Sequence, residues 1–211
     1  MSASIYCDGA CSGNGTVRAV GGWAWAYWPG AARGEPAAEC AAPLARPPHA
    51  TNQRAELTAL LESLRFARDH GMNASVTVYS DSQYAINCAS TWGPSWKRKG
   101  WKRDSGEALQ NLDLIQPLVD LWMTGRWSLV HVRGHQTGSG PHVWGNNWVD
   151  RTAVAGARGE GVTRTLSISA EPSVTPMVEP TKTDTITHVS SVPARVGVKQ
   201  TDIRMWFSSP S

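Results

Sequence analysis

Four acidic residues occupy positions where carboxylates could do chemistry. Asp8 follows a short apolar run in IYCDGA, Asp81 follows another in VTVYSD, and Glu56 and Asp150 fall inside helical patterns. Alone, each acid is typical of a solvated residue or a helix cap. If they converge, they repel one another unless a cation neutralises them, and hard oxygen ligands suit Mg²⁺ or Mn²⁺. Two such ions about 4 Å apart can activate a water and stabilise the leaving oxygen of a phosphoryl displacement.

Alternating apolar residues predict the strands that would position Asp8. The run SASIYCD indicates a first strand, and residues 20–28 indicate a second with Trp23, Trp25 and Tyr27 on one side. The Gly and Asn residues between them favour a turn, so the two runs are typical of an antiparallel pair. A third strand is expected around residues 39–44.

The segment TNQRAELTALLESLRFARDHG predicts a helix that carries Glu56. Thr51 or Asn52 could cap its start and Gly71 could end it, and leucines recur at helical spacing at Leu57, Leu60, Leu61 and Leu64. The helix leads into a β-branched run at residues 75–81. A strand, helix and strand in succession favour a right-handed crossover that makes the strands parallel, which would bring Asp8 and Asp81 face to face.

Further elements follow these. DSQYAINCAS predicts a short helix, NLDLIQPLVDLWM a helix interrupted at Pro117, WSLVHVR a last strand, and NNWVDRTAVAGAR a final helix. From about Gly159 the chain becomes rich in Ser, Thr, Pro and Val without periodicity, which predicts a flexible linker over residues 159–198.

Composition limits the class of protein. The chain has 211 residues and a net charge of +3, and its excess positive charge includes the basic segment WKRKGWKR at residues 96–103. The four cysteines form no CxxC pair, which argues against a zinc ribbon. With no secretory leader and no apolar run of the roughly 20 residues a membrane span needs, we expect a soluble, intracellular, cytoplasmic monomer with reduced thiols, or a nuclear one if the source is eukaryotic.

The ordered motifs YCDGA, TNQRAEL, YSDSQYAIN, WKRKGWK, NLDL, HVRGH and GNNWVD resemble the type 1 ribonuclease H family over residues 1–158. The resemblance implies an α/β, ribonuclease H-like fold, with a five-stranded mixed sheet of three antiparallel and then parallel strands, flanked by helices. It implies endonucleolytic cleavage of the RNA strand of RNA/DNA hybrids with two Mg²⁺ ions, for which Mn²⁺ can substitute. It assigns metal binding to Asp8, Glu56, Asp81 and Asp150, and makes His135 a mobile proton shuttle or product-release residue.

The resemblance also implies contacts with the hybrid. Amide and small side chains suit a minor groove lined by 2′-hydroxyls, and Glu56 could itself accept a 2′-hydroxyl hydrogen bond. The groove residues implied are Cys11, Ser12, Asn14, Asn52, Gln53 and Asn146. The basic segment resembles a protrusion that holds DNA phosphates, through Trp96, Lys97, Arg98, Lys99, Trp101 and Lys102. Its tryptophans are expected to pack against sugars, with holding the protrusion together as the alternative.

Two features depart from the family pattern. Asn147 stands where the family usually has Glu, which leaves one negative charge fewer near the site. The segment from His135 to Asp150 is longer than usual, and its Gly-rich composition predicts a mobile loop. Both departures leave the four acids intact. They affect how far His135 extends toward the site and how fast the enzyme would turn over.

Residues 199–211 contain a second motif. KQTDIRMWF places Gln200, Ile203, Trp206 and Phe207 at spacings that resemble the PCNA-interacting peptide of sliding-clamp partners. One helical turn would gather the three apolar side chains into a plug, with Gln200 directed to a separate pocket. The alternative is an apolar end that folds back on the domain. Clamp binding would bring the enzyme to primers at replication forks.

Two rival functions stay open at this point. One is a non-catalytic hybrid-binding module that uses the same groove contacts, and the other is a DNA-cutting nuclease of the same fold. The intact acids argue against the first, and the basic segment and TNQRAEL motif favour hybrid over DNA.

Overall fold

A mixed β-sheet forms the centre of the computed structural model, which describes residues 3–14, 16–45, 49–72, 76–103 and 105–165. The sheet has six strands in the order β5-β4-β1-β2-β3-β6. The strands are β1 (Ala3–Ser12), β2 (Val20–Trp28), β3 (Ala38–Pro43), β4 (Val76–Ser80), β5 (Ser128–His131) and β6 (Thr163–Thr165). This confirms the α/β class and the mixed sheet, but the predicted count of five strands is wrong.

The strand pairing follows the predicted topology. β1, β2 and β3 pair antiparallel, β4 pairs parallel with β1, and β5 pairs parallel with β4. The sixth strand is antiparallel to β3, with Cys40 opposite Thr163. Its three residues are too few to show alternation in the sequence, and pairing covers the backbone groups that the edge of β3 would otherwise expose.

Within the described residues, five α-helices flank the sheet. They are α1 (Asn52–Asp69), α2 (Gln83–Asn87), α3 (Gly93–Arg98), α4 (Leu112–Thr124) and α5 (Pro141–Ala157), with a π-helical turn (Cys88–Trp92) between α2 and α3. Contrary to prediction, α4 runs unbroken through Pro117. Proline removes one intrahelical hydrogen bond, and the buried apolar face of α4, which packs on α1, outweighs that loss.

The helices cover both faces of the sheet. On one face α1 packs on β1 and β2, where the rings of Trp25 and Phe66 stack with centroids 4.1 Å apart. On the other face α5 packs on β1, β2 and β3, and a core cluster joins Tyr6 and Trp28 to Val149. Trp25 and Trp28 therefore lie on opposite faces of the sheet, as the two-residue period of a strand predicts for positions three residues apart.

Helix α5 begins earlier than its sequence pattern suggested. Pro141 occupies the first turn of the helix, where its missing N–H costs nothing. The predicted loop from His135 to Asp150 is therefore wrong in its second half, because the irregular segment ends at Gly140. We refer to residues 132–140 as the His135 loop.

Candidate active site

Three carboxylates from separate parts of the chain meet where β4 ends beside β1. One oxygen each of Asp8, Glu56 and Asp81 lies within 4.8 Å of the other two. Cys7 on β1 is paired with Ser80 on β4, so the two aspartates follow in register along parallel neighbours. β1 itself continues to Ser12 alongside β2, so Asp8 stands where pairing with β4 ends and not, as predicted, where the strand ends.

A close approach of backbones places Glu56 in this group. A Cβ added to Gly9 would lie 2.3 Å from the backbone nitrogen of Glu56, so only glycine allows α1 to sit this near β1. The start of α1 is fixed from several sides. Thr51 Oγ1 accepts from the Arg54 N–H at 3.2 Å, and the Arg54 guanidinium donates to both carboxylate oxygens of Asp113 at 2.9 and 2.6 Å.

Burial and mutual repulsion act on two of these acids. Asp8 is only 5% exposed, and burial, together with the neighbouring charge of Asp81, raises the pKa of its carboxyl to about 8. Burial and then the charge of Asp8 raise the pKa of Glu56 well above its usual value. Glu56 Oε2 is buried without a hydrogen-bond partner among the described residues. An unsatisfied buried oxygen amid like charges fits a divalent cation, which prefers such hard ligands.

Asp150 lies at the rim of this group. It is not one of the three acids whose oxygens lie within 4.8 Å of one another, although its charge contributes to the raised pKa of Asp8. Its side chain is 34% exposed, and its Oδ2 lies 4.0 Å from Nδ1 of His135. The described arrangement is thus a tight trio with a fourth acid beside it, and metal binding by Asp150 stays a prediction.

His135 projects into solvent next to the acids. Its side chain is 81% exposed, and its backbone adopts a left-handed conformation with a φ of 51°. The preceding residue packs against the site, since a Cβ added to Gly134 would lie 2.3 Å from Asp81 Oδ2. The imidazole is therefore attached to backbone that touches the carboxylates.

Asn146, which the resemblance assigned to substrate contact, lies buried against one of the acids. Its side chain is 2% exposed, and its Nδ2 donates to Asp81 Oδ2 at 3.4 Å. Burial favours a supporting role toward Asp81 over the predicted contact with substrate. Its position four residues before Asp150 on one helix could have indicated that it points into the same site.

Five of the predicted groove residues lie at the end of β1, in the turn after it or at the start of α1, and we call them the groove strip. Cys11 and Ser12 end β1, and Asn14 in the following turn accepts a hydrogen bond from the Asn52 N–H at 3.0 Å. Ser12, Asn14 and Asn52 are exposed, and Cys11 and Gln53 are half-buried. Thr51 is the residue that caps α1, so capping does not occupy the side chain of Asn52.

The basic segment forms the end of α3 and the turn after it. Trp96 is 8% exposed and packs against Trp92 with ring centroids 5.9 Å apart, which favours a role in holding the protrusion together. The Trp101 N–H donates to the Trp96 carbonyl at 2.7 Å, and Lys97 Nζ lies 2.7 Å from Asp120 Oδ1. The remaining predicted phosphate contacts, all exposed, are Arg98, Lys99 and Lys102.

Comparisons with known proteins place this geometry in a family. The sequence model described as RNase H matches residues 1–158. The chain belongs to the RNase H family. It is 37% identical over 135 residues to a ribonuclease H of Cupriavidus necator, covering 64% of this chain and 84% of that protein. It is also 37% identical over 148 residues to a ribonuclease H of Syntrophomonas wolfei, covering 70% of this chain and 88% of the relative. These similarities confirm the resemblance and identify the chain as a ribonuclease H enzyme.

Solved structures of the RNase H family share the fold. LC9-RNase H1, described as a type 1 RNase H with the type 2 active-site motif, is 25% identical with a TM-score of 0.59, and 81% of each chain is covered. The RNase H domain of PFV is 22% identical with a TM-score of 0.63, covering 74% of this chain and 94% of that domain. The second likeness supports the fold alone.

Several predictions concern other parts of the chain. The residues predicted to bind a clamp lie outside the described residues, and clamp binding stays a prediction; they are Gln200, Ile203, Trp206 and Phe207. The division of residues 159–211 into linker and peptide also stays a prediction, although β6 lies within the segment predicted as linker. In the described part of the chain, none of the helices is long and apolar enough to cross a membrane, and the four cysteines are free thiols.

Proposed function

We propose that this enzyme hydrolyses the RNA strand of RNA/DNA hybrids with the help of two divalent cations, Mg²⁺ by preference. The observation that carries the proposal is the group formed by Asp8, Glu56 and Asp81, whose oxygens lie within 4.8 Å of one another. Burial and mutual repulsion raise the pKa of both Asp8 and Glu56. A bound cation would therefore stabilise the site by offsetting the repulsion between these carboxylates.

All four acids would bind the cations, from two positions in the site. Asp8, Glu56 and Asp81 form the inner group, and Asp150 at the rim completes the ligand set. When bound, the two ions supply activation of the attacking water and charge stabilisation at the departing 3′ oxygen, giving 3′-hydroxyl and 5′-phosphate ends. Asn146 holds the Asp81 carboxylate in place through its Nδ2. This support fixes one ligand in the orientation that catalysis needs.

His135 is suited to moving a proton or assisting product release. Its exposed imidazole lies 4.0 Å from Asp150, and imidazole is the side chain that most often serves as a general acid or base. A residue that shuttles protons must reach both the site and bulk solvent, and an imidazole 81% exposed at the rim meets that condition.

The hybrid would lie across the groove strip and the basic protrusion. Cys11, Ser12, Asn14, Asn52 and Gln53 would face 2′-hydroxyls and base edges of the RNA strand. The phosphates of the DNA strand would lie against Arg98, Lys99 and Lys102, with Lys97 close by. The groove strip lies on β1 and α1, which carry Asp8 and Glu56, and the protrusion on α3 is linked to α1 through α4, so both surfaces would keep a fixed distance from the acids.

A role in primer or hybrid removal during replication follows from the C-terminal motif. Gln200, Ile203, Trp206 and Phe207 would bind a PCNA-type sliding clamp, and a tether would raise the local concentration of enzyme at the fork. Calorimetric titration of residues 199–211 into such a clamp should give measurable heat. The absence of binding at high micromolar concentration would refute clamp recruitment without affecting the catalytic proposal.

Parallel digestion of labelled hybrid, duplex DNA and duplex RNA tests the substrate. We expect the RNA strand of the hybrid to be cut in Mg²⁺, with 5′-phosphate ends, while both other duplexes stay intact. Binding of hybrid without cleavage would favour a hybrid-binding module. Cleavage of duplex DNA would favour a DNA-cutting nuclease of the same fold.

A further inference from the structure

Asn147 joins helix α5 to the His135 loop. Its Nδ2 donates to the backbone carbonyl of Gln136 at 3.1 Å, one residue after His135. An acidic side chain at this position, as the family pattern usually has, could accept hydrogen bonds but could not donate to a carbonyl. The amide therefore makes a contact that the usual residue could not make when ionised.

Among the described residues, the other contacts that hold the loop lie at its two ends. At the start, the Val132 N–H donates to the Ser80 carbonyl at 3.0 Å, and Gly134 lies against Asp81. At the other end, the Trp144 N–H donates to the Gly140 carbonyl at 2.9 Å. Between Gly134 and Gly140, the hydrogen bond from Asn147 is the one side-chain hydrogen bond to the loop among the described residues.

The backbone conformation of His135 needs a stabilising contact of this kind. Its φ of 51° lies in the left-handed region, which is unfavourable for a residue other than glycine. Asn147 and Asp150 lie three residues apart on α5 and so share one face of the helix. One contacts the backbone just after His135, and the other faces its imidazole at 4.0 Å.

We propose that Asn147 is a positioning residue, which keeps His135 beside Asp150 by holding the carbonyl of Gln136. This inference rests on the proposed role of His135 in hybrid cleavage. Because Asn147 acts through His135 and has no direct role in groove contacts, its loss should lower kcat and leave KM nearly unchanged.

A double-mutant cycle with His135→Ala tests the proposal on the full chain. Asn147→Ala should lower kcat about 10-fold, a part of the 10²–10⁴-fold that acid–base groups typically supply. Asn147→Asp should do the same or worse, because it places a carboxylate against a carbonyl oxygen. In the His135→Ala background, Asn147→Ala should change kcat less than about 2-fold, since coupled residues are not additive. An equal loss in both backgrounds, or a rise in KM in place of the fall in kcat, would overturn the proposal.

A measurement without metal or substrate separates this inference from the proposed function. Backbone ¹⁵N heteronuclear NOE values at residues 135–138 should fall in Asn147→Ala and stay unchanged in Val154→Ala, an exposed site two turns along the same helix. Unchanged values in Asn147→Ala would disprove the hold on the loop. If wild-type protein fails to cleave hybrid, the proposed function fails, and the NMR result still decides whether Asn147 orders the loop.

Discussion

The backbone at Gly134 lies so close to Asp81 that a Cβ added there would be 2.3 Å from the carboxylate Oδ2. Gly134→Ala should therefore push the carboxylate out of the trio while sparing the fold, because the clash is with the end of a side chain. We expect at least a 10-fold loss of Mg²⁺-dependent cleavage, in keeping with the cost of misplacing a catalytic group by about 1 Å. Steady-state kinetics and a melting curve measure the two effects.

Gly140→Ala in the same loop is the matched control. A Cβ there meets nothing within 4 Å, and its φ of −69° suits any residue. It should retain activity and melting temperature. Equal losses in both variants would mean that glycine content, and not the contact with Asp81, accounts for the effect.

The raised pKa values of the buried acids predict an unusual pH dependence of stability. The pKa of Asp8 is about 8 in the folded protein, against about 3.9 for an unfolded aspartate. Between these values the folded state binds more protons than the unfolded state, so the free energy of unfolding of the metal-free protein should fall as pH rises. Glu56, whose pKa is also raised, adds to this slope. Denaturation in EDTA at pH 5 and pH 8 measures it.

Mg²⁺ should reverse this loss. Because a cation competes with protons for the same oxygens, saturating Mg²⁺ should raise the melting temperature more at pH 8 than at pH 5. Asp8→Asn should flatten the pH slope and stabilise the metal-free protein at pH 8, on the order of 1–3 kcal/mol, since each pKa unit corresponds to 1.36 kcal/mol. A wild-type slope no steeper than that of Asp8→Asn would contradict the electrostatic description of the site.

The exposed cations of the protrusion should govern the salt dependence of binding. Arg98→Ala combined with Lys102→Ala should raise the Kd for hybrid and reduce the slope of log K against log salt by about 2, close to 0.9 for each lost phosphate contact. Fluorescence anisotropy in Ca²⁺ at several salt concentrations measures this slope.

Arg68→Ala serves as a single-charge control remote from the protrusion. Arg68 lies near the end of α1, about 18 Å along the helix from Glu56 at 1.5 Å per residue. Its loss should leave the salt slope unchanged. If this variant changes the slope as much as the protrusion variant does, general charge and not the protrusion explains the binding.

The strand β6 should contribute stability through a buried acid. Glu39 is 4% exposed, accepts from Trp148 Nε1 at 2.8 Å, and has Arg164 Nε at 3.5 Å. Arg164→Ala leaves this carboxylate with less compensation and should lower the free energy of unfolding by about 1–3 kcal/mol, which urea denaturation can resolve. Arg158→Ala, at an exposed position after α5, should change it by less than about 0.5 kcal/mol. Equal effects would show that β6 adds no specific contact.

Local sequence patterns predicted most of the fold. Alternation indicated β1 and β2, a β-branched run indicated β4, leucine spacing indicated α1, and the crossover rule placed β4 parallel to β1. The errors arose where tertiary packing determines the secondary structure. β6 is stabilised by pairing with the edge of β3, and the start of α5 is stabilised by packing on the sheet. Neither interaction leaves a periodic trace in the segment concerned.

The site was predictable to a similar degree. Asp8 and Asp81 could be paired from parallel neighbouring strands, whereas Glu56 required the approach of α1 at Gly9, which no spacing encodes. The burial of Asn146 against Asp81 and the bond from Asn147 to Gln136 depend on how α5 lies over the site. Both contacts depend on three-dimensional packing, so the residue types of Asn146 and Asn147 alone suggested other roles for them.

The most direct test of the metal-binding acids is the cleavage of labelled RNA/DNA hybrid by Asp8→Asn in Mg²⁺, with hybrid binding in Ca²⁺ measured on the same preparation. The amide keeps the shape of the side chain but removes a charge that, in the proposed site, would hold a cation between β1, α1 and β4. We predict that cleavage is abolished while hybrid binding persists. Cleavage by Asp8→Asn at a rate close to that of the wild type would contradict the proposed site.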